Sequence, residues 1–136
     1  MRFMIIVKAT QASEAGAMPE EARFTEMAAF HEELAKAGIL VDASGLQPTS
    51  KGARIRYGKG GERVVTDGPF TESKELIAGY TIINVKDRAE ALAWARRFPN
   101  PAGPGKDAEI EIRQMFELDD FPQSEGVERF RKLSAA

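Results

Sequence analysis

The chain has 136 residues, 43% of them hydrophobic and 29% charged, which are the proportions of an ordinary globular domain with one core. It contains no cysteine, which excludes disulfides, a thiol nucleophile and cysteine zinc sites, and its formal net charge of −2 argues against general nucleic-acid binding. No apolar run approaches the ~20 residues of a membrane helix, and the opening MRFMIIVK is too short for a signal peptide, so the expected address is the cytoplasm.

Residues 2–8 (RFMIIVK) form a nearly continuous apolar run, as expected for a central strand buried on both faces. Thr10–Met18 is small and polar and reads as a surface loop. Pro19, Glu20 and Glu21 suit the start of a helix, and Phe24, Met27, Phe30, Leu34 and Ala37 give it one apolar stripe until Gly38 stops it. ILVDASGLQP (39–48) reads as a second strand that bends at Gly45. ARIRY (53–57) alternates, with Ala53, Ile55 and Tyr57 on one face and Arg54 and Arg56 on the other. Gly58–Gly61 turns the chain and Arg63–Thr66 returns it as a short strand.

After the stretch VTDGPFTESKEL (65–76), IAGYTIINVK (77–86) is a strong strand. Asp87 caps the next helix, with Glu90 placed to reciprocate; Ala91, Trp94, Ala95 and Phe98 form its buried stripe and Pro99 closes it. PNPAGPGKD (99–107) is a loop, EIEIRQMFEL (109–118) alternates as a last strand, and SEGVERFRKL reads as a short amphipathic helix. The order β-α-β-β-(β)-α-β predicts a ferredoxin-like α+β domain over 1–121 with a C-terminal helical tail over 122–136. An antiparallel sheet with both helices on one face leaves the other face needing cover, which predicts a homodimer of the dimeric α+β barrel type.

Chemistry-bearing motifs are few. His31 stands alone, without HxxxH, HxH or EF-hand spacing, so no metal site and no cofactor is expected. Gly58–Gly61 lacks the spacing of a phosphate-binding loop, and no nucleophile elbow is present. His31 falls about 50° from the centre of its helix stripe, at about 100° per residue, which fits a packed histidine or a proton shuttle.

Asp67 precedes Gly68-Pro69, where a carboxylate either accepts from backbone N–H groups beyond it or serves a ligand as base or anchor. Phe70 is either a plug at the strand end or an aromatic wall. Thr71–Glu75 resembles one helical turn, whose Lys74 and Glu75 are either solvated or bind a polar ligand. Arg54 and Arg56 are either solubilising or an anion site. Tyr80, on the strand after the loop, is a further candidate contact.

DGPFTESKE followed by IAGYTII, AEALAWARRFP and EIEIR resembles the DGPF branch of the YCII-related family, as do RFMIIVKAT, AKAGILVDASGLQP and RQMFELDDF. The resemblance runs from residue 2 to about 121. It implies a ferredoxin-like fold, dimeric through stacked sheets, with a cleft beside the sheet and no settled reaction. Relatives in this branch fused to extracytoplasmic-type sigma factors imply a regulatory alternative. The YCII branch proper carries a His–Asp pair, and one member resembling it removes chloride from a hydroxylated aromatic ring. Here that histidine's place falls near Glu26 or Met27 and the aspartate's place holds Phe98 before Pro99, so the pair is absent.

Three functions follow as expectations. The first is a protein that binds or converts a small polar or aromatic metabolite, with Asp67 and His31 as acid–base candidates and Arg54, Phe70, Lys74, Glu75 and Tyr80 as ligand contacts. Its pocket is expected between the sheet, the first long helix and the 66–75 loop. The second is a docking module for a sigma factor, and the third a non-catalytic dimeric scaffold. A concave pocket with convergent polar groups favours the first; an uncovered patch at Val127, Phe130 and Leu133 favours the second.

Overall fold

The computed structural model describes residues 1–72 and 74–134. Arg2–Lys8 forms β1, and Gln11–Glu14 forms a short helix, α1, inside the stretch expected to be loop. A reciprocal cap makes it. The Thr10 amide donates to Ser13 Oγ at 2.8 Å and the Ser13 amide to Thr10 Oγ1 at 3.1 Å. α2 spans Glu21–Lys36, with an acid in its first turn and a base in its last, and Gly38 at φ 73° ends it.

β2 (Leu40–Gly45), a 3-10 turn (Thr49–Lys51), β3 (Ala53–Tyr57) and β4 (Arg63–Asp67) follow. Then come β5 (Ile77–Asn84), α3 (Arg88–Arg96), β6 (Ile110–Gln114), a second 3-10 turn (Leu118–Asp120) and α4 (Glu125–Ser134). Asp87 caps α3 by accepting from Glu90 N–H at 2.8 Å, while Glu90 Oε2 accepts from Lys86 N–H at 3.3 Å, one residue earlier than a strict reciprocal cap requires.

The architecture is α+β: a four-stranded antiparallel sheet of order β2-β5-β1-β6 and a separate two-stranded sheet, β3-β4. Phe3, Ile5 and Ile83 pack with Phe30 and Leu34 of α2 and Ala91 and Ala95 of α3 into one core, so α2 and α3 serve the same sheet face. Burial in β1 therefore alternates instead of being complete: Phe3 and Ile5 are buried, Met4 and Ile6 half-buried.

Cross-strand partners share a face, which places Met4, Ile6, Tyr80 and Ile82 together at the centre of the opposite side, with Asp42, Ser44, Glu111 and Arg113 around them. None of these belongs to the core. Phe24 departs from the stripe its spacing suggests and is 68% exposed. At that end of α2 it is Arg23 that is half-buried, against the 99–107 loop, where a Cβ on Gly103 would lie 3.3 Å from Arg23 Cδ.

Candidate functional site

The loop between β4 and β5 is held by residues distant in sequence. Glu14, at the end of α1, accepts from Thr49 N–H at 3.1 Å and from Thr49 Oγ1 at 2.5 Å. Thr49 Oγ1 in turn accepts from Phe70 N–H at 3.0 Å. Gly68 N–H donates to Gly52 O at 3.0 Å, and the Gly68–Pro69 peptide is cis. A charged acceptor on a hydroxyl that itself accepts is a cooperative pair, stronger than either bond between neutral groups. Helix α1 thus positions the 3-10 turn, and the turn positions Phe70.

Two adjoining clefts result. The first, about 390 Å3, lies between the 3-10 turn and the loop, with Leu46, Pro48, Leu76, Ile77 and Phe70 as apolar wall and Lys51, Arg54 and Glu75 as charged groups. The second, about 320 Å3, is lined by Arg54, Arg56, Val64, Thr66 and Phe70. Arg54 and Phe70 line both, and the Arg54 guanidinium sits 3.8 Å from the Phe70 ring centroid. Arg54 also pairs with Glu72 at 3.2 Å. The Glu72 carboxyl is held below the usual range, first by a hydrogen bond from its own backbone and then by Arg54.

Of the residues expected from sequence, Arg54, Phe70 and Glu75 meet at the first cleft. His31 is elsewhere. Its Nδ1–H donates to Met27 O at 2.7 Å, since a carbonyl only accepts, and its Nε2 is hydrogen-bonded to the Thr81 hydroxyl at 2.8 Å. Packed edge-on against Phe30 and Phe98, it lines neither cleft. The pocket expected against the first long helix is therefore not the one formed; the clefts lie over the hairpin and loop.

Tyr80 is on the sheet face opposite the core, donating to Asp42 Oδ2 at 2.9 Å, a bond that raises its phenol pKa. Lys74 is exposed and lines neither cleft. Residues 74–75 form a turn instead of the helical turn expected over 71–75, and Ser73 lies outside the described residues.

Asp67 pairs with Ala53 in the hairpin, and Arg54 with Thr66. Side chains alternate along a strand, so Asp67 shares the face of Ala53, Ile55 and Tyr57, opposite Arg54 and Arg56, and it lines neither cleft. The amides beyond it are satisfied by Gly52 O and Thr49 Oγ1, and the cap expected of Asp67 is supplied by Thr49. Asp67→Asn should accordingly leave unfolding free energy within about 0.5 kcal/mol of the parent, as for an uncoupled surface change. A loss above about 1 kcal/mol in urea denaturation would give its charge a structural role.

Sequence reasoning missed Glu14, Thr49 and Lys51. The Thr10-x-x-Ser13 cap signalled the helix that carries Glu14, but nothing local joined Glu14 to Thr49.

These features define a class: a small α+β domain with one helix-covered antiparallel sheet and an appended hairpin whose base frames a cleft. The chain belongs to the YCII-related family, whose model matches residues 1–117. It is also similar to an uncharacterized protein of Rhizobium meliloti (strain 1021), at 29% identity over 103 residues, covering 76% of this chain and 82% of that protein. Helix α4 lies beyond the family match. Among the described residues no helix is long and apolar enough to cross a membrane, and no three His, Cys, Asp or Glu side chains gather as a metal site.

Proposed function

We propose that this chain is a DGPF-branch member of the YCII-related family that binds a small organic metabolite in the cleft between the Thr49–Lys51 turn and the DGPF loop. The domain is ferredoxin-like and acts as a cytoplasmic homodimer, joined through the sheet face that carries Met4, Ile6, Tyr80 and Ile82. The single observation that carries the ligand site is the first cleft itself, an apolar wall on which Arg54, Lys51 and Glu75 converge. The strand order β2-β5-β1-β6, with α2 and α3 sharing one core, supports the ferredoxin-like topology.

The site is proposed for binding, with no reaction assigned, because among the described residues Glu75 is the one carboxylate lining the cleft and His31 lies outside it. An amide-resolved titration with a panel of small organic metabolites tests the proposal. Binding should shift Leu46, Gly52, Leu76 and Ile77, and Phe70→Ala should weaken it about tenfold, ~1.4 kcal/mol. Shifts confined to the sheet, or none for any compound, would remove the site.

A second function is favoured by α4. Val127 is buried, whereas Phe130 and Leu133 on the same apolar side are 62% and 71% exposed. A docking module for an extracytoplasmic-type sigma factor would use that surface. Binding to such a purified factor, lost in Phe130→Asp, would favour docking; equal binding by the variant would discard it.

A further inference from the structure

The geometry points to an organic anion as the ligand: a carboxylate or phosphate group held by Arg54, Arg56 and Thr66 in the second cleft, with an apolar body lying in the first. This rests on the first cleft being a ligand site. Four observations carry the acid-binding half.

Arg54 and Arg56 stand two residues apart on one strand and so point to the same side, beside Thr66 and Val64 of the paired strand. Two guanidinium forks at that spacing offer several N–H donors to a trigonal or tetrahedral oxyanion, and the Thr66 hydroxyl adds another. The hairpin is also locally basic. From Lys51 to Asp67 five basic residues stand against Glu62 and Asp67, in a chain whose net charge is −2. Asp67 is turned to the other face.

Arg56 takes part in none of the ion pairs among the described residues, as is true also of Arg63, Arg88 and Arg96, but of these four it alone lines either cleft. Arg54, finally, is engaged by a carboxylate already. Glu72 reaches it at 3.2 Å from the same loop that supplies Phe70, and stands in for the ligand's acid group. The pair is half exposed on both sides, so it is weak and exchangeable. Arg54 and Phe70, common to both clefts, mark where the acid group joins the apolar body.

The test compares hexanoate, hexyl phosphate, the neutral hexanamide and inorganic phosphate by amide-resolved titration of the full chain. Hexanoate or hexyl phosphate should shift Arg56, Val64 and Thr66 together with Leu46, Leu76 and Ile77, at least tenfold more tightly than hexanamide. Which of the two binds better distinguishes a carboxylate ligand from a phosphate monoester. Arg56→Gln should weaken the anion about tenfold and leave hexanamide unchanged, with Arg56→Lys in between. Glu72→Gln, which withdraws the competing carboxylate, should tighten the anion several-fold.

If hexanamide binds the first cleft as tightly as hexanoate, the anion inference is overturned while the ligand site stands. If inorganic phosphate shifts Arg56 and Thr66 but no compound reaches Leu76 and Ile77, both the spanning ligand and the first-cleft site fail. If Glu72→Gln leaves anion affinity unchanged or lowers it, Glu72 is not a stand-in.

Discussion

Gly68→Ala should destabilise the protein by about 2–3 kcal/mol, the cost of forcing atoms into a packed contact. A Cβ at position 68 would lie 1.8 Å from the Thr49 carbonyl oxygen and 2.6 Å from its carbon. Both belong to backbone, so no side chain can swing aside. Either the loop retreats, giving up the Gly68-to-Gly52 and Phe70-to-Thr49 hydrogen bonds at about 1 kcal/mol each, or the 3-10 turn moves and strains the Glu14 contact.

The loss is expected to begin locally, so hydrogen exchange at Phe70 should accelerate before the urea midpoint moves. Gly45→Ala is the control. Its added Cβ meets nothing within 4 Å, and its effect should stay within about 0.5 kcal/mol. Equal stabilities for the two variants would mean that the loop does not pack on Thr49 as described. Because the same contact sets the position of Phe70, Gly68→Ala should also weaken any ligand of the first cleft, although position 68 does not line it.

Such contacts separate what the sequence makes legible from what it hides. β1, α2, β3, β5, α3 and β6 were readable because each carries its own periodicity and punctuation, Gly38, Asp87 and Pro99 among them. Strands read over 39–48, 77–86 and 109–118 come out shorter, since pairing partners and not composition decide where a ladder ends. α1 was hidden by its length: four residues show no stripe, and only the Thr10–Ser13 cap announces them.

The site was legible in part. Phe70 and Glu75 are legible because they lie in or beside the DGPF motif, and Arg54 because the alternation of ARIRY sets it with Arg56 on one strand face. Glu14, Thr49 and Lys51 are not, because a cleft built from two segments has no signature in either one. The separation of Asp67 from Arg54 was available in principle. Once Tyr57 pairs with Arg63 across the turn, register sets Ala53 against Asp67 and Arg54 against Thr66, and the faces follow. An acidic residue inside a motif can still belong to the far face of its hairpin, as Asp67 does.

Ile82→Glu should convert the proposed dimer to a folded monomer. Ile82 lies opposite Met4 on one side and Asp42 on the other, at the middle of the sheet face opposite α2 and α3. A central strand whose two faces are both apolar implies cover on both, and in β1 only Phe3 and Ile5 receive it from within the chain. A second copy would cover Met4, Ile6, Tyr80 and Ile82 symmetrically, with Lys8, Glu111 and Arg113 at the rim. Stable interfaces bury roughly 800 Å2 per partner, and a four-stranded face is of that order.

A glutamate at position 82 would lie beside Asp42, and a two-fold axis would add the same pair from the other copy. Unpaired charge buried in an interface costs several kcal/mol, so the dissociation constant should rise at least a hundredfold, about 2.7 kcal/mol or more. Folding should survive, because Ile82 belongs to the face outside the core cluster, whereas its neighbour Ile83 is fully buried within it. Light scattering over a dilution series, with circular dichroism as the check on folding, reads both quantities. Phe24→Ser, which removes a comparably apolar group from the exposed side of α2, should leave the mass unchanged. A parent protein that is monomeric at all concentrations, or an Ile82→Glu variant that stays dimeric, would show that the pair does not form through this face.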